Sequence, residues 1–167
     1  MHTVKTKLFR LDSNVWAYAF RIPNKTAALL DQRVIFRIKS GKEYHGAMLS
    51  DGNGGYFVNT NKEMRKLENL KDDEAFEVHL RIDDSEYGIH LPDEMKEALM
   101  LDEEGNHYFH QLTIGKQRSL IHIVGLPKSS EIRIKKALVV LNYLTESRGK
   151  LDFKALNEAF KQANRNS

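Results

Sequence analysis

The sequence predicts an α+β protein: a small six-stranded β-barrel over residues 1–84, then a helical extension over residues 85–167 packed on that barrel. Three observations carry this. Up to about Asp84 the apolar residues mostly alternate with polar ones, the period of half-buried strands. From Leu91 onward the period lengthens to that of helices. Between the two, "DDSEYG" joins charge to a glycine and forms the best boundary between the halves.

The strands follow in order. "TVKTKLFRL" is the first. In the second, Trp16, Tyr18 and Phe20 share one face and Ala17, Ala19 and Arg21 the other. In the third, Val34, Phe36 and Ile38 alternate with Arg33, Arg37 and Lys39. "KEYHGAML" and "GYFVN" supply two more, and Phe76, Val78, Leu80 and Ile82 alternate with Glu77, His79, Arg81 and Asp83 in the last. Six short strands, each with one apolar face, suit a small closed or split barrel, because closure removes exposed sheet edges.

The stretch "SDGNGGYFVNTNKEMRK" (residues 50–66) has the look of a glycine-rich phosphate cradle followed by the cations Lys62, Arg65 and Lys66. A phosphate-binding loop, however, runs through Gly-Lys-Ser/Thr straight into a helix. Here Tyr56 to Val58 intervene as a strand and no Lys-Ser/Thr follows. Asp51-Gly52 and Asn53-Gly54 tolerate the positive φ that a tight connection needs, so the stretch reads as a hairpin loop. "TNKE" then reads as a capping box, with Thr60 as the cap and Glu63 turning back onto the free N–H groups. That puts a carboxylate where a phosphate would sit, and leaves the three cations on a solvated helix face.

In the second half, Pro92 suits a first helical position, with Asp93 and Glu94 where the helix dipole favours negative charge. Pro127, Ser129 and Ser130 set up a helix running to about Ser147, with Gly149 as its stop and Ile134, Leu138, Leu141 and Leu144 as its apolar stripe. Asp152 caps a last helix with Phe153, Leu156 and Phe160 on one side, and Leu151 and Leu156 stand at the two positions of a hydrophobic staple.

Composition narrows the function classes. Of the 167 residues, 41% are hydrophobic and 29% charged, a globular balance. With no cysteine, disulfides, thiolate metal sites and cysteine nucleophiles are excluded, and the chain suits a reducing cytoplasm. No secretory leader and no membrane span is expected from the sequence. The net charge of +3 is too mild to imply nucleic acid, but it is unevenly spread. Residues 83–104 carry nine acids against Lys96, and residues 113–150 carry eight bases against Glu131 and Glu146. Either the two segments neutralise each other, or Lys128, Arg133, Lys135 and Lys136 form a docking face for an anionic partner.

Other candidates are weaker. Trp16, Tyr18 and Phe20 form an aromatic ladder that is either barrel core or the wall of a ligand pocket, with Arg65 as its cation. His107 and His110, with Glu103 and Glu104 upstream, have no third ligand at a recognisable zinc spacing, so no metal site is expected. No nucleophile motif stands beside any of the seven histidines.

"WAYAFRIP" followed by "VIFRIKSGKEYHGAMLSDGNGGYFVNTNKEMRK" resembles a bacterial family known only as a domain of unknown function, with its aromatic strand ending in Ile-Pro, its Asp-Gly hairpin and its Lys-x-x-Arg helix. "LPDEMKEAL" and "FHQLTIGKQRSLIHIV" resemble the bacteriocin-protection or OmpD-associated segment of the YdeI type that often follows it; His122-Ile123 stands where that segment carries a Trp-Ile pair. The resemblance spans residues 4–148. It implies a small barrel of the double-split kind, without established catalytic residues or cofactor. The implied function is a cytoplasmic, non-catalytic binding or interaction protein for a small ligand or protein partner, linked to bacteriocin or envelope stress. The alternatives are a nucleic-acid-binding regulator using the barrel and the basic 113–150 segment, and an enzyme working in a pocket beside Trp16 and Arg65.

Overall fold

The computed structural model describes residues 1–12 and 18–167. The chain forms two compact units, residues 1–88 and 89–167. The first is a closed antiparallel barrel of β1 (His2–Arg10), β2 (Tyr18–Ile22), β3 (Arg33–Arg37), β4 (Tyr44–Ser50), β5 (Tyr56–Thr60) and β6 (Ala75–Ile82), in the spatial order β1-β2-β5-β4-β3-β6. Two short helices, α1 (Asn24–Ala27) and α2 (Lys62–Leu67), interrupt the strands.

Two strands change partner along their length, and this splits the barrel. β1 pairs with β6 over residues 2–7 and with β2 only over Leu8–Arg10. β4 pairs with β3 over residues 44–47 and with β5 over residues 48–50. The inward phase fills the core with Val4, Leu8, Phe20, Ile22, Val34, Phe36, Met48, Val58, Phe76, Val78 and Leu80, all buried. Phe20 stands at its centre, edge-on to Phe36 at 5.3 Å and to Phe76 at 6.1 Å.

The glycine-rich stretch is a hairpin loop between β4 and β5. Asp51 folds back over it, its Oδ1 accepting from the N–H groups of Asn53 (2.9 Å) and Gly55 (2.8 Å), and its own N–H donates to the Gly55 carbonyl. Those two amides are the groups a phosphate would need, and a carboxylate already holds them. Gly54 has φ +85° with open space where a Cβ would stand. Gly54→Val is therefore expected to cost about 1 kcal/mol or more through backbone strain alone. Urea unfolding checks this: an unchanged midpoint would mean that the loop tolerates a side chain there.

The cap of α2 differs from the sequence expectation. Asn61, not Thr60, is the N-cap; its Oδ1 accepts from Met64 N at 2.7 Å. Thr60 is still the last ladder residue of β5, and its hydroxyl donates to the Tyr18 carbonyl (2.9 Å), so it does not cap the helix.

The second unit contains α3 (Asp93–Leu101), α4 (Glu103–Gln111), α5 (Ile114–Gly125), α6 (Ser130–Glu146) and α7 (Phe153–Arg165). α6 packs on the other four. Side-chain caps start α4 (Asp102), α5 (Thr113), α6 (Ser129) and α7 (Asp152). Gly149, at φ +78°, ends the α6 turn by donating to the Leu144 carbonyl at 2.8 Å. The buried face of α6 is Ala137, Val140, Leu141 and Leu144, whereas Ile134 and Leu138, expected in the stripe, are about half exposed (46% and 50%). In α7 only Leu156 is fully buried; Phe160 is half-buried with the Lys136 ammonium over its ring, and Phe153 is exposed. No helix among the described residues is long and apolar enough to cross a membrane.

Candidate ligand-binding surface

Of the expected aromatic pocket, Trp16 lies outside the described residues, and the remaining three side chains fill space. Phe20 has no exposed surface. Tyr18 sits at one end of the barrel, and the Arg65 guanidinium covers its ring at 4.7 Å while donating to the Thr60 carbonyl and hydroxyl. The Tyr18 hydroxyl donates to Asp72 at 3.3 Å. Tyr18 and Arg65 thus come together as a stacked pair that closes the barrel end.

The basic docking residues are not brought to one face. At about 100° per residue, Arg133 and Lys136 share one side of α6 and Lys135 points away from them. Arg133 donates to Glu94 at 2.7 Å and to the carbonyls of Pro127 and Lys128, which ties an acid of the acidic segment to the basic one. Glu94 also accepts from Ser130, and with Arg133 first in effect these bonds bring its carboxyl down to about 2. Lys135 bonds to Ser167, and Lys136 lies between the Ile123 carbonyl and Phe160. Lys128 is exposed.

The histidines part in the same way. His107 bonds to Gln111 and His110 to the Asn106 carbonyl, both within α4. No group of three metal-ligating side chains occurs among the described residues. His45 Nδ1 is 2.8 Å from Asp83, whose carboxylate is wholly buried. Burial would raise the Asp83 carboxyl, but the bonds from Ser85 and His45 outweigh it and hold it below the usual range. Ser85 gives its hydroxyl to Asp83 (2.5 Å) and not to His45, so the three do not form a nucleophile–base pair. They fasten the end of β6 to β4.

A different surface does assemble, on the outside of β1, β2 and β5. Phe9 is in outward phase next to inward Leu8, and Phe57 next to inward Val58. Register sets Phe9 opposite Ala19 and Phe57 opposite Arg21, so the small Ala19 leaves room for the two rings to meet edge-to-face at 6.0 Å. The Arg21 guanidinium lies 4.5 Å above Phe9 and pairs with Asp51 at 3.0 Å, with more than half its side chain still exposed. Asp51 is held below the usual carboxylate range by the Asn53 and Gly55 amides, and Arg21 adds to this.

Beside this platform lies a cleft of about 290 Å³, lined by Lys5, Thr6, Arg21, Ile22, Pro23, Asn24, Gly55 and Tyr56. Its cause is local. β2 ends at Ile22 because Pro23 has no N–H to continue the ladder and α1 begins at Asn24. β1 and β2 are paired only as far as Leu8 and Phe20, two residues short of the end of β2, and beyond that the Thr6 hydroxyl bonds to the Arg21 carbonyl at 3.0 Å. Lys5, Lys7 and Arg10 are all exposed along β1. The sequence does carry a signal for this surface, aromatics at outward positions of two strands, but those strands are far apart in the chain.

In comparisons with protein families, curated proteins and solved structures, nothing matches this chain.

Proposed function

We propose that the protein is a non-catalytic binding module and that its barrel wall takes an anionic ligand bearing a planar ring. The observation that carries this is the exposed Arg21 guanidinium over Phe9, with Phe57 edge-on, opening onto the cleft beside Lys5. An arginine on an aromatic face offers a cation and a flat apolar surface to the same ligand. A cytoplasmic location and a part in bacteriocin or envelope-stress protection belong to the same proposal, and rest on the family resemblance and the cysteine-free sequence.

The test is an amide-shift titration with adenosine, inorganic phosphate and adenosine monophosphate. The monophosphate is expected to move the amides of Thr6, Arg21 and Gly55, and to bind more tightly than either fragment. Absence of shifts at millimolar concentration, or shifts confined to other strands, would remove the reading.

A further inference from the structure

We infer that the ligand of the barrel wall is a single-stranded nucleic acid, laid across β1, β2 and β5 with its bases toward Phe9 and Phe57 and its phosphates toward Lys5, Lys7 and Arg21. This rests on the reading of the wall as a binding surface and names the ligand class. It moves nucleic-acid contact away from the 113–150 segment, where Arg133 and Lys136 are engaged within their own unit.

Three features select a strand over a small anion. The first is repetition. Outward residues on β1 recur every second position, about 6.4–6.8 Å apart, so Lys5, Lys7 and Phe9 make a row on the scale of a nucleotide repeat. A single phosphate would use one of these cations and leave the rest idle.

The second is the pairing of charge with flat rings. Two aromatic side chains on the strands that flank β2, with an arginine of β2 beside them, form the stacking platform and cationic track that bind single strands without reading sequence. Of the acids near this face, Asp51 is spent on Arg21 and the loop amides, and Glu77 is the outward cross-strand neighbour of Lys5, on the side of β1 away from the cleft. The remaining charge on β1 is positive.

The third is shape. The surface is the convex wall of a small barrel with a narrow cleft at one side, and none of its described strands projects as a ribbon that could enter a duplex groove. Unstacked bases can lie on such a wall; a stacked duplex offers its bases only edge-on.

The experiment is fluorescence anisotropy of the full chain with labelled oligothymidylates of increasing length, with a duplex of the same length as control, at several salt concentrations. Affinity is expected to rise with length up to a site of about 4–16 nucleotides. It should fall with salt at a logarithmic slope near −2, for about three phosphates at roughly −0.7 each. Phe9→Leu and Phe57→Leu keep apolar bulk and remove the rings; each should weaken binding roughly 5- to 150-fold with the slope unchanged. Lys5→Ala with Lys7→Ala, both exposed and outside the core, should flatten the slope to about −0.7.

If adenosine monophosphate binds the wall but longer strands bind no tighter, the strand inference is overturned and the binding module stands. Equal affinity for duplex, or oligonucleotide binding indifferent to both the leucine and the lysine variants, also overturns it. If neither the mononucleotide nor any strand binds, both readings fall together.

Discussion

Phe20→Ala is expected to be among the most damaging single substitutions in the barrel, costing about 3–5 kcal/mol. The ring has no exposed surface and meets Phe36 and Phe76 edge-on, so its loss removes both the transfer free energy of a phenyl group and two aromatic contacts. Neighbours on six hydrogen-bonded strands cannot collapse far into the gap, which places the cost in the upper part of the range for core truncations. The two readings of the aromatic ladder diverge here. An aromatic lining a pocket would give up ligand with little loss of stability, whereas a core aromatic gives up stability first. Urea unfolding of the wild type and the variant measures it, and an unchanged midpoint would show that the ring is not part of the core.

The alternation that marks the six strands was readable because each strand has one wet face, and a period of two is then imposed by burial itself. Helix α6 lacked that contrast. Ile132, Ile134, Leu138 and Val139 lie outside its buried face, so apolar residues occur around much of the helix and composition did not single out the side that packs. The small Ala137 is buried where larger residues nearby are not, a choice made by the neighbouring helices. The α2 cap failed for a related reason: Thr60 and Asn61 are both good caps, and what decides is a tertiary bond from the Thr60 hydroxyl to Tyr18.

The candidate surface was less legible still. Phe9 and Arg21 were visible as residues of strands, but nothing local says that β1 lies beside β2 and β2 beside β5. Strand order is a long-range property, and Phe9 and Phe57 meet only through it. The sequence did show the ladder on the opposite phase, Tyr18 and Phe20, which the core and Arg65 absorb. The outward aromatics were the informative ones, because a ring on a wet strand face is not explained by the core.

Glu68 supplies the second large effect. It follows α2 as its C-cap, where the helix dipole disfavours a negative charge, yet its side chain is almost fully buried at 1% exposure. It is held there by donors from the connection between β3 and β4 and from β4 itself. Its carboxylate accepts from Ser40 N (2.8 Å), from the Ser40 hydroxyl and from the Tyr44 hydroxyl (2.6 Å). The Tyr44 ring in turn stacks on Phe36 at 5.5 Å, so the carboxylate ties α2 to the barrel core. Glu68→Ala strands the Ser40 amide and the Tyr44 hydroxyl, at about 1–3 kcal/mol each, and is expected to cost about 2–6 kcal/mol in all. Glu68→Gln keeps the shape and one acceptor and should cost less.

The same bonds predict the pH response. Burial alone would raise the Glu68 carboxyl, but the bonds from Ser40 and Tyr44 outweigh it and hold it below 4.5. Its contribution is therefore complete above pH 4.5 and is lost as pH falls through the lower, folded value. Tyr44 is pushed the other way, from 10 up to about 12, first by burial and then by Glu68. Its contribution is complete below pH 10 and is lost as pH rises toward 12. Tyr87, also raised to about 12 by burial, shares that alkaline limb. Tyr44→Phe should then make the loss above pH 10 shallower by up to about 1.4 kcal/mol per pH unit, one proton's worth, without abolishing it. Unfolding free energies of the wild type, Glu68→Ala, Glu68→Gln and Tyr44→Phe between pH 3 and 11.5 (roughly, the span over which these groups titrate) decide the matter. A Glu68→Ala protein as stable as the wild type at neutral pH, or an alkaline limb indifferent to Tyr44→Phe, would mean that this carboxylate does not hold the barrel end.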